Sequence, residues 1–172
     1  MRIVTCEYDA HAAAILEILN DAITNSTALY DYRPRTMESM ASWFAAKKAG
    51  NYPVIGIVDG DSFLGFASYG AFRAWPAYKY TVEHSVYVQA ANRATGLGKL
   101  LLQELISSAK ADGYHCLVGG IDVHNAASSA LHERFGFCHA GTIRQAGFKF
   151  GRWLDLAFYQ LLLETPESPT DG

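Results

Sequence analysis

A short glycine-containing loop between a strand and a helix has the residue types that hold a phosphate. Ser85–Val88 has the side chains of a strand, and a leucine-rich helix follows Gly98 almost at once. Gly96 and Gly98 let the backbone approach a ligand closely because glycine has no Cβ. A helix that starts there directs unpaired N–H groups and the positive end of its dipole into the same space. The spacing therefore predicts a site for a phosphate or pyrophosphate.

Two common phosphate motifs do not fit this loop. A Walker A loop needs Ser or Thr after its Gly-Lys pair, whereas Leu100 follows Lys99, and Arg93 stands where the first glycine belongs. The dinucleotide fingerprint needs a third glycine, and Leu101 occupies that position. That fingerprint also opens a long series of parallel βαβ units, for which too few residues follow. Both interpretations are set aside.

The loop Arg93-Ala-Thr-Gly96-Leu-Gly98 instead has the pattern R-x-x-G-x-G. Here the chain resembles the GCN5-related N-acetyltransferase (GNAT) superfamily, whose acetyl-CoA pyrophosphate loop has this form. The resemblance extends to Asn125-Ala-Ala-Ser128 and to Phe135-Gly-Phe137, an asparagine, a short helix and a terminal Gly-Phe. It implies a GNAT fold: a single domain of mixed α/β (α+β) architecture with a mixed central sheet flanked by helices. It also implies acetyl-CoA as co-substrate.

A narrower resemblance covers nearly the whole chain. Its segments are Asn25–Ala28, Tyr52–Val54, Ala67–Gly70, Thr81–Val88, Leu131–Glu133 and Lys149–Asp155. They look like the phosphinothricin and methionine sulfoximine N-acetyltransferase branch, whose members are homodimers that acetylate the α-amine of small amino-acid analogues. For this chain the resemblance implies direct acetyl transfer to phosphinothricin, methionine sulfoximine or methionine sulfone, and a homodimer. Two alternatives stay open: a GNAT enzyme acting on a polyamine, an aminoglycoside or a peptide N-terminus, and a non-catalytic acyl-CoA-binding sensor.

Transfer to an α-amine needs a base, because the ammonium must lose a proton before its lone pair attacks a thioester. The resemblance assigns this role to Glu83, on the strand just before the glycine loop. Because side chains alternate along a strand, Glu83 and His84 are expected on opposite faces. His84 as the base, and Glu83 as an ordinary solvated strand residue, are the alternatives.

The superfamily resemblance also implies where acetyl-CoA binds. Backbone N–H groups of the strand Val86–Val88 are expected to receive the pantetheine arm and the acetyl oxygen. The leaving thiolate needs a proton, and many members use a tyrosine where this chain has His132, so either His132 or water supplies it. The predicted acetyl-CoA-binding residues are Val86, Tyr87, Val88, Arg93, Ala94, Thr95, Gly96, Leu97, Gly98, Lys99, Asn125 and Ser128.

An arginine in an aromatic loop has the chemistry to hold the carboxylate of an amino acid. Arg73 follows a predicted strand, and its guanidinium can bind a carboxylate through two parallel hydrogen bonds. The alternative is an ordinary surface arginine. Lys149–Trp153 is a further candidate for the pocket, from the same or a facing subunit. The predicted acceptor-binding residues are Arg73, Ala74, Trp75, Glu83, His84 and Ser85.

The helices that must support these residues are predicted from caps and apolar spacing. Asp9 is expected to cap a helix to about Thr24, and Thr36 to cap a second helix that Gly50 ends. Two more helices are predicted, from the glycine loop to about Asp112 and over Ala126–Phe135. The predicted buried faces of the first two comprise Ile15, Ile18, Leu19, Ala22 and Ile23, and Met37, Met40, Ala41 and Phe44.

The strand predictions complete this outline. Strands are predicted over Arg2–Thr5, Tyr52–Val58, Phe63–Phe72, Thr81–Val88, Tyr114–Val123, Phe137–Thr142 and Trp153–Leu163. Asp59-Gly60-Asp61 carries the signal of a hairpin turn. Residues 1–164 are predicted to form the GNAT domain, and residues 165–172 a polar C-terminal tail.

Composition and charge exclude several functional classes. The formal net charge is −3 and no Lys/Arg-rich run occurs, which predicts no nucleic-acid partner. No apolar run approaches the ~20 residues that span a bilayer, which predicts no membrane partner. The 6 histidines form no metal motif, which predicts no metal site. The 3 cysteines have no CxxC pairing and no signal-peptide pattern precedes them, which predicts reduced thiols and a cytoplasmic protein.

Overall fold

This computed structural model describes residues 1–171 of the chain. These residues contain four α-helices and seven strands. Two short 3-10 helices lie at Pro76–Tyr78 and Ala90–Asn92. The α-helices are α1 (Tyr8–Asn25), α2 (Met37–Ala49), α3 (Leu97–Ala111) and α4 (Ala126–Arg134). The strands are β1 (Arg2–Thr5), β2 (Val54–Asp59), β3 (Ser62–Ala71), β4 (Thr81–Val88), β5 (Cys116–Asp122), β6 (Cys138–Lys149) and β7 (Arg152–Leu162).

The strands follow the order β1-β2-β3-β4-β5-β7-β6. β4 pairs with β5 in parallel, whereas β1–β2, β2–β3, β5–β7 and β6–β7 pair antiparallel. This mixture of parallel and antiparallel pairing, together with the helices, confirms the predicted mixed α/β fold. The parallel β4–β5 ladder runs from Thr81 opposite Cys116 to Glu83 opposite Val118.

The chain divides into two compact units, and the division falls within β4. The first unit comprises Met1–Gly70 and Ser85–Leu105. The second comprises Ala71–His84 and the described chain from Ile106 onward. The glycine loop therefore belongs to the first unit, whereas Glu83, β5, α4, β6 and β7 belong to the second.

The core of the first unit is built on one face of α1. The residues predicted for that face are all buried, which confirms the helical spacing. Three of them, Ile15, Ile18 and Leu19, pack in a cluster that includes Met40, Val54 and Phe66. The prediction for the helix start was wrong: α1 begins at Tyr8 after Glu7, and Asp9 lies inside the first turn rather than at the cap.

The second helix begins and ends where its caps predict. The Thr36 side chain accepts a hydrogen bond from the backbone N–H of Ser39, whose hydroxyl reaches back to the Thr36 backbone, so both residues form a capping box. Gly50 ends the helix, as expected. The buried face is narrower than predicted, because Met40 is buried while Met37 is exposed.

The sixth strand is longer and less regular than the sequence predicts, whereas β7 (Arg152–Leu162) begins and ends one residue before the predicted strand. The strand predicted to end at Thr142 continues to Lys149 as β6. Its register against β7 shifts between Ile143 and Gly147, and Gln145 has a positive φ of 52°. Residues 144–146 form this irregularity, so their sequence does not show the alternation of apolar and polar side chains that predicts a strand. The ladder resumes at Gly147, opposite Leu154.

The polar C-terminal segment is hydrogen-bonded within the second unit. The hydroxyl of Thr165 donates to the backbone carbonyl of Tyr114, and the backbone N–H of Thr170 donates 3.1 Å to the hydroxyl of Tyr80. Lys79 Nζ lies 2.9 Å from the carbonyl of Asp171. The boundary predicted between residues 164 and 165 stays a prediction. None of the helices within residues 1–171 is long and apolar enough to cross a membrane.

Candidate active site

The glycine loop of the first unit has open space at its tip. Gly96 has a φ of +91°, a left-handed conformation that favours glycine, and a Cβ built on it meets nothing within 4 Å. α3 begins at the next residue, so Gly98 lies inside its first turn. The N–H groups at the start of a helix have no intrahelical acceptor. The backbone at Leu97–Lys99 therefore has the donors and the dipole that an anion requires.

Arg93 is held by an acidic residue of α1. Its Nη2 lies 2.9 Å from Oδ2 of Asp21, and Asn25 Nδ2 donates 2.8 Å to the other oxygen of that carboxylate. The next residue, Ala94, has a left-handed φ of 62°, which is uncommon for a residue with a side chain. The hydroxyl of Thr95 donates 2.6 Å to the carbonyl of Asn92 and is thus used within the loop.

The C-terminal half of β4 comes unusually close to β3 in the first unit. A Cβ at Gly65 would lie 2.7 Å from the carbonyl oxygen of Tyr87 and 3.1 Å from Cα of Val88. The ring of Tyr87 packs against Phe66, with ring centroids 5.4 Å apart. The side chain of Tyr87 thus packs in the first unit, and only the Tyr87 backbone remains a candidate for binding acetyl-CoA.

In the second unit, Glu83 and His84 point to opposite faces of the sheet, as their alternation predicts. A Cβ at Gly120 would lie 3.5 Å from Oε1 of Glu83, whereas a Cβ at the neighbouring Gly119 would lie 3.0 Å from Cε1 of His84. Because adjacent residues of a strand face opposite sides of the sheet, these two distances place Glu83 on one side and His84 on the other.

The carboxyl group of Glu83 is half-buried and electrostatically linked to Arg73. Burial raises the pKa of Glu83 above its usual value, because a carboxylate loses hydration there, and the positive charge of Arg73 partly opposes this. The structure thus brings together two residues that the sequence predicts for the acceptor. Arg73 itself is exposed, and its Nη1 donates 2.8 Å to the carbonyl of Phe72, over whose ring the guanidinium lies. Ala74 and Trp75 are also exposed in this loop.

His84 forms a buried pair that the sequence did not predict. Its Nε2 lies 2.9 Å from Nε2 of His132. Burial lowers the pKa of His84 to about 3, with a second contribution from His132 and a small opposing one from the backbone of Val118. Burial likewise lowers the pKa of His132, whose Nδ1 lies 2.7 Å from the carbonyl of Ser128. Both rings are therefore neutral at pH 7.

The predicted second motif forms the start of α4. Asn125 is the N-cap, and its side-chain oxygen accepts a hydrogen bond of 3.2 Å from the backbone N–H of Ser128. Just before it, Asp122 ends β5, and its Oδ1 accepts from the backbone N–H of His124 at 2.8 Å. Oδ2 of Asp122 is buried and has no hydrogen-bond partner among the described residues. Asp122 was not among the residues that the sequence predicted for the site. Its position three residues before Asn125 could have drawn attention to it.

No group of three or more His, Cys, Asp or Glu side chains within residues 1–171 is arranged to hold a metal ion. The three cysteines are free, and they differ in environment. Cys6 is buried, and desolvation raises its pKa to about 12, whereas Cys138 is exposed.

Comparison with known proteins gives concordant matches. The family model described as an acetyltransferase (GNAT) domain matches residues 6–158. The L-methionine sulfoximine/L-methionine sulfone acetyltransferase of Pseudomonas paraeruginosa is 45% identical over 160 residues, which are 92% of this chain and 93% of the relative. The phosphinothricin N-acetyltransferase of Streptomyces coelicolor is 36% identical over 85% of this chain and 87% of its own length.

A solved structure agrees in fold over nearly the whole chain. The GNAT superfamily phosphinothricin acetyltransferase from Sinorhizobium meliloti, in complex with acetyl-CoA, superposes with a TM-score of 0.93 at 33% identity. The match covers 99% of this chain and 94% of that one.

Proposed function

Because this chain belongs to the GNAT acetyltransferase family and is an acetyl-CoA-dependent N-acetyltransferase of the phosphinothricin/methionine sulfoximine branch, we propose that its acceptor is the α-amine of a small amino acid. We infer that Glu83 is the general base and that the acetyl group passes directly to the acceptor. The single observation that carries this proposal is the half-buried carboxyl group of Glu83, which lies within electrostatic range of the Arg73 guanidinium.

The opposite charges of Glu83 and Arg73 match the two charges of a free amino acid. A carboxylate at Glu83 attracts the α-ammonium, and the guanidinium of Arg73 suits the α-carboxylate. The electrostatic link between the two residues supports their acting on one small zwitterion. A polyamine or an aminoglycoside has no carboxylate for Arg73, and this disfavours those acceptors.

Glu83 has the properties that a base for an ammonium needs. Burial raises the pKa of Glu83, which makes its carboxylate a stronger proton acceptor than that of a fully solvated glutamate. It takes the ammonium proton directly or through one water, and the free lone pair then attacks the thioester carbon. The new N–C bond forms as the C–S bond breaks, and the CoA thiolate leaves. Either His132 or water returns a proton to that sulfur.

We assign the glycine loop to the pyrophosphate of acetyl-CoA. The open space at Gly96 and the backbone donors of Leu97–Lys99 fit an anion, and these observations support the assignment. The backbone of Val86–Val88 is assigned to the pantetheine arm and to the charge that develops on the acetyl oxygen. Arg93, Ala94, Thr95, Asn125 and Ser128 complete the proposed acetyl-CoA residues.

Among amino acids, we propose methionine sulfoximine or methionine sulfone as the better acceptors and phosphinothricin as the weaker one. The curated relative of higher identity is named for the first two substrates, and the one of lower identity for the third. Arg73, Ala74, Trp75, Glu83 and Ser85 are the proposed acceptor residues, whereas His84 is buried on the opposite face from Glu83 and is no longer proposed to contact the acceptor. The cytoplasmic location stays a prediction.

Release of free CoA across a panel of amines tests the proposal. The panel contains methionine sulfone, methionine sulfoximine, phosphinothricin, a polyamine, an aminoglycoside and a peptide with a free N-terminus. We expect the amino acids to be acetylated, with a loss of kcat of at least about 100-fold in Glu83→Gln, the usual range for removing a general base. Unchanged turnover in Glu83→Gln would remove the assigned base. Acetyl-CoA binding with no turnover of any amine would favour a non-catalytic sensor.

We also propose that the protein is a homodimer that uses the β6–β7 hairpin. Ile143, Phe148, Phe150 and Trp153 are exposed on this hairpin. The rings of Phe148 and Trp153 lie edge to face, with centroids 5.1 Å apart, and thus present one apolar surface. Exposed clusters of this kind are characteristic of association surfaces. A second copy of the chain is the proposed occupant.

A further inference from the structure

Gly120 lies in the interior of β5, where a glycine weakens a strand. Its backbone has no left-handed φ, so the conformation does not demand glycine. Its position is nevertheless exposed, although the flanking Gly119 and Ile121 are buried. A strand glycine of this kind commonly marks a place where another molecule approaches the backbone.

The surroundings of Gly120 combine the proposed base with two apolar side chains. A Cβ at this position would lie 3.3 Å from Cδ1 of Leu156, 3.5 Å from Oε1 of Glu83 and 3.8 Å from Cε1 of Phe158. Gly120 is directly opposite Phe158 in the β5–β7 ladder. Leu156 and Phe158 are each half-buried, so part of each side chain faces solvent. All four residues belong to the second unit.

We propose that Gly120, Leu156 and Phe158 form the subsite for the side chain of the acceptor amino acid. This inference rests on the proposed function, since it takes Glu83 as the group that faces the α-amine. An amine at Glu83 brings the acceptor's Cα next to Gly120, and its side chain then lies along Leu156 and Phe158. The absent Cβ leaves room for the first carbon of that side chain.

The chemistry of the subsite selects a linear side chain with apolar methylene or methyl groups and no net charge. Leu156 and Phe158 gain contact with such groups, whereas an anion loses hydration against them. Asp122 is two residues beyond Gly120 on the same face of β5, directly opposite Leu156. Its carboxylate adds a negative charge on this side and disfavours an anionic side chain. Methionine sulfone fits this description better than phosphinothricin.

Gly120→Ala is the direct test because it adds one methyl group to the floor of the subsite. The nearest atom to the new methyl is the end of the flexible Leu156 side chain, so the variant is expected to fold with a nearly unchanged Tm. We expect the KM for methionine sulfone to rise about tenfold, the usual effect of one methyl group in a tight apolar pocket. The Kd for acetyl-CoA, measured by calorimetry, is expected to stay within about twofold of wild type.

Two further variants separate a subsite from a general disturbance of the strand. Leu156→Ala removes an apolar side chain of the subsite without adding the methyl group, and we expect the KM for methionine sulfone to rise while the Kd for acetyl-CoA stays unchanged. Gln160→Ala is the control, since Gln160 lies two residues beyond Phe158 on β7 and outside the three-residue subsite. Its KM is expected to match that of wild type.

The outcomes distinguish this inference from the proposed function. An unchanged KM in Gly120→Ala, or an equal fall in acetyl-CoA affinity, would overturn the subsite while leaving Glu83 as base. Absence of turnover by the wild type would instead overturn the proposed acceptor class. In that case the thermal shift that methionine sulfone causes in the CoA-bound protein replaces the KM. A shift in wild type that Gly120→Ala reduces would support the subsite, and equal or absent shifts would overturn it.

Discussion

Nε2 of His84 lies 2.9 Å from Nε2 of His132, and both side chains are buried. The carbonyl of Ser128 can only accept, so Nδ1 of His132 carries a proton. A neutral His132 then has a bare Nε2, to which the Nε2–H of His84 donates. Adding a proton to either ring would place a charge in this buried contact, which explains why both pKa values are lowered.

The histidine pair predicts loss of stability in mild acid. His84 has a pKa of about 3 in the folded protein and 6.5 as a free side chain, so the unfolded chain binds the proton more readily. The contribution of neutral His84 to the free energy of unfolding is therefore fully present above pH 6.5 and is lost as the pH decreases towards 3. From pH 7 to pH 5 we expect His84 alone to lower the free energy of unfolding by about 2 kcal/mol. Urea titrations at both pH values measure this difference.

His84→Gln removes this source of pH dependence. We expect its free energy of unfolding to fall less between pH 7 and pH 5 than that of wild type. His139→Gln serves as the control, because His139 is exposed on β6. Parallel pH curves for His84→Gln and wild type would contradict the assignment of the acid sensitivity to His84.

The electrostatic effect of Arg73 on Glu83 predicts the direction of a shift in the pH–activity profile. Glu83 accepts a proton only when ionised, so kcat/KM falls as the pH decreases through its pKa. The charge of Arg73 lowers that pKa, and Arg73→Gln removes this effect. We therefore expect the acidic limb of the profile to move to higher pH in Arg73→Gln and to stay in place in Arg134→Gln, which alters an exposed arginine of α4. A limb that did not move would mean that another group controls it.

Two glycines of similar geometry allow strain and ligand binding to be separated. Gly96 precedes α3 and Gly113 follows it, both have positive φ (+91° and +75°), and a Cβ on either meets nothing within 4 Å. Alanine at each position should destabilise the protein by about 1 kcal/mol through backbone strain. We expect a raised KM for acetyl-CoA in Gly96→Ala but not in Gly113→Ala. Equal KM values in the two variants would remove the loop from the acetyl-CoA site.

The aromatic hairpin predicts a concentration-dependent assembly. Replacing Phe148 and Trp153 together by serine removes most of its apolar surface, and we expect the dimer to dissociate. Light scattering coupled to gel filtration measures the mass of each species. Leu162→Ser is the control, because Leu162 is exposed at the far end of β7. A wild-type monomer at all concentrations would contradict the proposed dimer.

Local sequence patterns predicted those elements whose signals are themselves local. β4 spans Thr81–Val88 as predicted, and the capping box at Thr36 lies where the sequence places it. The end of β6 was missed because its continuation depends on pairing with β7 across an irregularity at Gln145. The same limit applies to Asp9, since α1 begins at Tyr8, two residues before the start that an N-cap at Asp9 requires.

The candidate site divides in the same way. Alternation along β4 was enough to separate Glu83 from His84. By contrast, His84 and His132 are 48 residues apart, and their contact depends on how α4 packs over β5. The proposed subsite at Gly120 also depends on register, since Phe158 lies opposite Gly120 in the β5–β7 ladder. Contacts between residues so far apart in the sequence cannot be predicted from local sequence patterns.

The ion pair between Arg93 and Asp21 has a consequence for turnover. If Arg93 binds acetyl-CoA as proposed, it exchanges one negative partner for another, so its net contribution to affinity is the difference between two ion pairs. Under this proposal Asp21 binds the guanidinium again when CoA departs, so that Arg93 keeps a counter-charge throughout the cycle. Such competition between Asp21 and the ligand would lower the affinity for acetyl-CoA and speed release of the product. Under the proposed role of Arg93, Asp21 therefore favours release of CoA after each cycle.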